Sequence, residues 1–235
     1  MMRGAIGICL CSLPWLVYFL YVQKVCGEST LSIECVIRCG ALAPNPSWEV
    51  TNICRVFTAP LLHLNYSHLF SNILLSMVAQ YGLWMQSKTK QTQLDIFDLS
   101  TLIYSGAVIV GFTRMIIGAH KWSLGGSGGV VFALVYVFGS LHGGQPKNFM
   151  GFSKAFWVIS LLLLCSFHST DEGIDHFSHL IGGVAGALCV GLSRLIDAPL
   201  DHHFLRKSVK IWSSVLMCAY LGSAVIVISG AYLFS

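Results

Sequence analysis

The chain has 235 residues, of which 55% are hydrophobic and only 10% are charged. Soluble domains carry roughly 25% charged residues, so this composition predicts an integral membrane protein and excludes a separate soluble domain. The formal net charge of +4 at pH 7 is small and spread over the loops, which excludes an extended basic face for nucleic acid.

Seven apolar segments are predicted to cross the membrane as helices. Residues 4–23 carry no charged side chain and, at about 20 residues, match one crossing of a hydrocarbon core about 30 Å thick. A cleaved signal peptide is the alternative for this segment, but its apolar run is usually only about 7 to 15 residues long. The other six spans are predicted at residues 67–85, 99–119, 127–141, 152–167, 177–192 and 211–234. We therefore expect an all-α membrane protein that forms a single polytopic domain over residues 1–235, a six-helix bundle plus a seventh C-terminal helix at about 211–234.

The distribution of charge predicts the orientation of these spans. With the N-terminus inside, the inner loops hold nine of the 14 lysines and arginines and the outer loops hold five. Because Lys and Arg accumulate in cytosolic loops, the N-terminus is expected in the cytosol. The same orientation places residues 25–55 outside, with their four cysteines, Cys26, Cys35, Cys39 and Cys54. Four cysteines in one loop predict two disulfides of undetermined pairing in a secretory-pathway lumen, with free thiols as the alternative.

Four polar side chains are predicted to meet at one level below the outer surface. Spans two, four and six all run from the outer to the inner side, so their first turns share one depth. Those turns hold His68, Asn72, Ser127 and His179. One such residue is most simply an interhelical hydrogen bond, but four at one depth indicate a wet functional site.

The fourth span is unusual because it is short and begins in glycines. Its 15 residues would extend about 22 Å, less than a full crossing, so its N-terminus is expected below the outer surface. Non-helical backbone at that depth is tolerated only inside protein or along a wet cavity. Free N–H groups at a helix start can hold an oxyanion. We therefore take Ser127 as the candidate nucleophile.

The sixth span offers a partner for Ser127. His179, Gly182 and Gly186 lie on one helix face and form a smooth strip against which another helix can pack closely. Close packing on the glycine-rich fourth span would bring the His179 imidazole to the Ser127 hydroxyl.

These motifs together resemble the rhomboid family of intramembrane serine proteases. Gly125-Gly126-Ser127-Gly128 resembles the family's Gly-x-Ser-Gly motif, and His179-x-x-Gly182-x-x-x-Gly186 resembles its histidine helix. His68 and Asn72 resemble the pair on the second helix, and Arg55 and His63 stand where a first-loop arginine and a structural histidine are expected. The resemblance covers a core of about residues 55–195, and the 6+1 arrangement is similar to that of secretory-pathway rhomboids.

The resemblance implies a Ser-His dyad without an acid, a cofactor or a metal. Ser127 would attack the scissile carbonyl, and His179 would act as general base and then as general acid. The Ser127 backbone N–H, His68 and Asn72 would hold the oxyanion, supported by Gly128. The structural positions would be Arg55, His63, Gly125, Gly182 and Gly186. Substrates would be single-pass membrane proteins in the lipid bilayer, cleaved near the lumenal face.

Two departures from the family pattern keep a second function open. The aromatic residue usual four positions after the serine is Val131 here, with Phe132 one residue later. An alignment on Phe132 puts Gly128 at the nucleophile position and predicts an inactive rhomboid that binds or traffics membrane clients, unless a one-residue bulge opens the helix. The acidic residue expected after the second span is also missing from residues 83–90, which bears on stability more than on chemistry.

Two further alternatives concern the histidines. A metal or proton transporter would use histidines expected on the outer side, namely His63, His68, His120, His168, His176 and His179. No acidic residue lies within a span to carry ions, and there is no clear inverted repeat, which disfavours this function. His176 is a rival for the general base, although it stands nearer the loop.

Overall fold

The computed structural model describes residues 2–27, 32–43, 48–90, 97–118, 125–141, 176–195, 211–212, 214–223, 225–226 and 229. These residues are mostly helical and contain no strand, which confirms the all-α prediction. The helices are α1 (Met2–Cys26), α2 (Ile33–Arg38), α3 (Val50–Thr58), α4 (Tyr66–Lys90), α5 (Phe97–Ile117), α6 (Ser127–Leu141) and α7 (His176–Leu195), with a 3-10 turn at Ala59–Leu61. The described part of the C-terminal span includes the helical segment Ser214–Ser223, and the fifth predicted span lies outside the described residues.

Local sequence sets the ends of these helices. Asn65 precedes α4, and its side-chain oxygen accepts a hydrogen bond from the His68 backbone N–H at 2.8 Å, as an N-cap does. Helix α5 ends two residues before the predicted position, because Gly118 follows it with φ +74° and leaves the helical conformation. Helix α6 begins and ends where it was predicted, at Ser127 and Leu141.

Helix α6 lies at the centre of the described bundle and packs against α4, α5 and α7. Small residues allow these close approaches. A Cβ atom on Gly129 would overlap the carbonyl oxygen of Ile103 in α5, and one on Gly82 in α4 would lie 2.7 Å from a Val137 methyl. The short fourth span is therefore enclosed by its neighbours, as a buried helix start requires.

Length and apolar composition single out one described helical stretch, Leu99–Ile117 in α5, as able to cross a membrane. The stretches Ser127–Phe138, His176–Cys189 and Ser214–Ser223 are apolar but shorter.

Between the first two spans, the described residues include α2, α3 and the 3-10 turn. This region holds one disulfide, Cys26–Cys35, rather than the two predicted, while Cys39 and Cys54 are buried free thiols. The Cys39 sulfur lies within 4.8 Å of both bonded sulfurs. Burial raises the pKa of Cys39 to about 11, so the thiolate that disulfide exchange requires is rare at neutral pH. The prediction of a second disulfide was wrong, because Cys39 and Cys54 are not bonded to each other.

Candidate active site

The glycine turn before α6 is held by backbone hydrogen bonds. Gly125 has φ +89°, a conformation that glycine adopts readily, and its N–H donates to the Ala59 carbonyl at 2.8 Å. The Gly126 carbonyl then accepts the first helical bond of α6, from the Val130 N–H at 2.9 Å. Ser127 is thus the first residue of α6, and its side chain is half-buried.

Helix α1 closes one side of this turn through Trp15, which is fully buried. A Cβ atom on Gly126 would lie 2.7 Å from the Trp15 indole and 3.3 Å from the Pro60 carbonyl oxygen. The indole ring also lies 5.5 Å from the His63 ring. Sequence reasoning missed Trp15, because only the fold brings the first span to this site.

The His68 imidazole lies against the glycine turn. A Cβ atom on Gly125 would lie 2.6 Å from Cε1 and 2.9 Å from Nε2 of His68, so any larger residue at position 125 would displace the ring. His68 also interacts electrostatically with His179 of α7. His68 therefore connects the turn that carries Ser127 with the helix that carries His179.

His63 and Asn72 form a buried pair behind His68. The His63 ring lies 5.1 Å from the His68 ring, with Nδ1 3.2 Å from the Leu61 carbonyl and Nε2 2.9 Å from the Asn72 amide nitrogen. A carbonyl can only accept, so we assign the proton to Nδ1 and let Nε2 accept from the Asn72 N–H. Burial is the main reason that the pKa of His63 falls from 6.5 to about 3, with a contribution from His68, so its ring is neutral at physiological pH.

Helices α6 and α7 cross with almost no side chain between their backbones. A Cβ atom on Gly182 would overlap the Gly128 carbonyl, and one on Gly128 would lie 3.0 Å from the Ser178 carbonyl oxygen. Gly186 makes a second approach, with a Cβ position 2.8 Å from the Phe132 carbonyl oxygen. The predicted glycine strip of the sixth span thus faces the fourth span.

This crossing sets Ser127 and His179 beside the same contact, since each is next in sequence to a residue of that contact. No hydrogen bond between the Ser127 hydroxyl and the His179 ring is present among those of the described residues. The Nδ1 atom of His179 is buried, and the His176 ring lies 6.3 Å from the His179 ring. Catalytic hydrogen bonds are often long in unliganded enzymes and shorten when substrate binds.

A comparison with models of protein families shows which family has this fold. The model of the Rhomboid domain matches residues 50–195, from the first residue of α3 to the last residue of α7. The chain belongs to the rhomboid family. Rhomboids are membrane-embedded and are generally intramembrane serine proteases, with inactive pseudoproteases among them. No curated protein matches this chain.

Helix α6 of this rhomboid shows which residue occupies the position of the family's aromatic. The helix is regular from Ser127 onward, without the bulge that the sequence left open. Val131 faces α7, with a methyl 3.7 Å from a Cβ position on Gly183, whereas the Phe132 ring packs on Gly106 of α5. The residue four positions after Ser127 therefore points toward the histidine helix, and it is Val131.

The remaining predicted site residues have structural contacts in this rhomboid. The Arg55 guanidinium lies 3.4 Å from the Asn52 side-chain oxygen and 3.5 Å from the Ile37 carbonyl, so it links α3 to α2. Burial lowers the pKa of Arg55 from 12.5. His120 and His168 lie outside the described residues.

A pocket opens beside the glycine turn, next to Gly125 and Gly128. It is lined mostly by glycine, alanine and other apolar residues, and Ser178 lines it as well. The fully buried Arg114 of α5 donates from Nη1 to the Ser178 hydroxyl at 3.4 Å. In the sequence, Arg114 lies within the third predicted span, residues 99–119.

Proposed function

We propose that this rhomboid is an intramembrane serine endopeptidase that uses Ser127 and His179. The observation that carries the proposal is the contact of Gly128 with Gly182, because it brings the two helix starts together without intervening side chains. The Ser127 hydroxyl attacks the scissile carbonyl and transfers its proton to His179. His179 then protonates the leaving amine, and water hydrolyses the acyl-enzyme by the reverse proton path.

The glycine turn and α4 supply donors for the oxyanion in this proposal. The Ser127 backbone N–H stands at a helix start, where the first N–H groups have no partner within the helix. The His68 ring lies against the same turn. Asn72 has two amide hydrogens, and the bond to His63 uses one of them, which leaves the other for the oxyanion. His63 thus acts by orienting Asn72.

We propose single-pass membrane proteins as the substrates. A helical peptide bond is shielded by its own hydrogen bonds, so the substrate must unwind near the lumenal surface before Ser127 can reach its carbonyl. The small, apolar wall of the pocket beside Gly125 and Gly128 favours a small apolar side chain near the scissile bond. The nine-to-five distribution of basic residues supports a cytosolic N-terminus, and the Cys26–Cys35 disulfide supports a secretory-pathway membrane.

The second candidate function is that of a pseudoprotease that binds membrane clients. The valine at position 131 favours it, because no aromatic ring at this position can stack on His179. The orientation of Gly128 argues against the register in which that residue replaces the nucleophile. A Cβ atom there would lie 3.0 Å from the Ser178 carbonyl oxygen and 3.2 Å from a Val110 methyl, so a serine side chain at position 128 would be crowded.

The test uses the purified full-length chain in liposomes with a generic single-pass substrate. Wild type should cleave it and react with a fluorophosphonate at Ser127, whereas Ser127→Ala and His179→Ala should do neither. His176→Ala should stay active, since His176 is not part of the proposed dyad. Cleavage gained only with Gly128→Ser would establish the pseudoprotease register. Cleavage by wild type that survives in Ser127→Ala would disprove the proposed nucleophile.

A further inference from the structure

Arg114 is the most completely buried charged side chain among the described residues. It lies in the last turn of α5 with 0% of its surface exposed, and its Nε atom is buried as well. A guanidinium keeps its charge at any physiological pH, so burying it carries a large desolvation cost that neutralisation cannot relieve. Ionisable residues at such positions in membrane proteins usually serve the functional site.

A hydrogen bond of Arg114 leads to the helix that carries His179. Its Nη1 donates to the Ser178 hydroxyl at 3.4 Å, across the packed faces of α5 and α7. Ser178 is 5% exposed, and its carbonyl oxygen lies 3.0 Å from a Cβ position on Gly128. Ser178 therefore touches α5 through its side chain and α6 through its backbone, and the next residue is His179.

We infer that Arg114 is a positioning residue that fixes the first turn of α7, and through it the direction of the His179 imidazole. This inference rests on the proposed protease function. The glycine contact between α6 and α7 leaves α7 able to rotate about its own axis, because smooth glycine backbones provide no interlocking side chains. The Arg114 contact restrains that rotation from a third helix. A small rotation at Ser178 displaces the neighbouring ring by more than a proton transfer tolerates.

The test combines Arg114→Met, Arg114→Lys and Ser178→Ala in the full-length chain. Arg114→Met should lower kcat on the order of 10- to 100-fold while KM stays within about twofold, because the ring is misdirected and substrate binding is not. Arg114→Lys should recover part of kcat. Ser178→Ala should lower kcat as well, and the double variant should be close to Arg114→Met, since both substitutions remove the hydrogen bond between these two side chains.

Thermal stability separates positioning from a merely structural role. Replacing a buried charge by a hydrocarbon of similar volume is often neutral or stabilising, so the melting temperature of Arg114→Met should not fall with kcat. Thr113→Val is the matched control, because it removes a hydroxyl that bonds only the Ile109 carbonyl within α5. Unchanged kcat in Arg114→Met, or kcat losses that multiply in the double variant, would overturn the inference.

A readout without catalysis distinguishes this inference from the proposed function. Diethyl pyrocarbonate modifies exposed imidazoles, and mass spectrometry gives its rate at His179 and at His68 separately. Arg114→Met should change the rate at His179 at least threefold and leave that at His68 unchanged. If wild type neither cleaves substrate nor labels at Ser127, the proposed function fails, and the His179 rate still decides whether Arg114 fixes α7.

Discussion

At the scale of single residues, two adjacent glycines of α7 meet different surroundings. A Cβ atom on Gly182 would overlap the Gly128 carbonyl, which is backbone and cannot rotate away, whereas one on Gly183 would make an ordinary 3.7 Å contact with Val131. Gly182→Ala should therefore cost about 2 kcal/mol or more by forcing α6 and α7 apart, and should abolish cleavage. The midpoint of thermal unfolding and the cleavage rate measure the two effects.

Gly183→Ala is the control for that prediction. Alanine is favoured over glycine in a helix by about 1 kcal/mol, so this variant should be as stable as wild type or slightly more stable. Equal losses of thermal stability and cleavage rate in Gly182→Ala and Gly183→Ala would show that the helices do not cross at Gly128.

The buried His63 imidazole should make the stability of the fold depend on pH. Its pKa is about 3 in the folded protein and 6.5 when unfolded, so protonation favours unfolding. The contribution of the neutral His63 ring to the free energy of unfolding is complete above pH 6.5 and is lost as the pH falls toward 3. Between pH 7.5 and pH 5 it amounts to about 2 kcal/mol.

His63→Gln removes this titration and keeps one donor and one acceptor for Leu61 and Asn72. Its free energy of unfolding should fall by about 2 kcal/mol less than that of wild type over the same pH interval. Denaturant titrations at both pH values give the comparison. Equal decreases in the free energy of unfolding of the two proteins between pH 7.5 and pH 5 would mean that the His63 ring is already solvated in the folded protein.

The sequence located some of these residues and could not locate others. Ser127 and His179 could be proposed as a dyad because the glycine spacing around each of them is a local property of the chain. The bond from Asn72 to His63, the Trp15 ring beneath Gly126 and the Arg114 contact with Ser178 depend on helices that meet only in the fold. No periodicity within one segment indicates such contacts.

At the scale of elements, α4 shows how one side chain sets where a helix begins. Asn65 is exposed, and its side-chain oxygen accepts a hydrogen bond from the backbone N–H of His68. His68 is also the residue whose ring lies on Gly125. Asn65→Ala should cost about 1 kcal/mol, whereas Asn65→Asp keeps the acceptor and should cost little. Thermal unfolding of both variants tests this, and equal losses would exclude capping as the cause.

Helix boundaries were predictable where glycine or a cap marks them and were not where tertiary contacts define them. Both ends of α6 were correct because glycines precede the helix and its apolar run is continuous. Helices α2 and α3 were missed, since each is short and mixed in composition. They are held by contacts with other segments, among them the Thr58 hydroxyl bond to the Gly40 carbonyl at 2.9 Å.

At the scale of the whole molecule, the disulfide tests the proposed orientation. Protein disulfides persist in oxidising compartments, so Cys26–Cys35 should be oxidised in cells only if this region faces a lumen. Thiol-labelling gel shifts on protein alkylated in living cells should show both sulfurs protected, with Cys35→Ser as the control. Full labelling of wild type would place the segment, and with it the opening of the site, in the cytosol.

Trp15 packs the first helix against the glycine turn before α6, although this helix lies outside the part of the chain that defines the family. A larger residue at position 126 should therefore be compensated by a smaller residue at position 15, although the two positions are far apart in the sequence. Gly126→Ala alone crowds the indole and Trp15→Phe alone leaves a void, so each should lower the melting temperature. The two changes together should restore part of the loss, because the smaller ring makes room for the added methyl group, so the first span and the glycine turn would be able to vary together while the contact between them is kept.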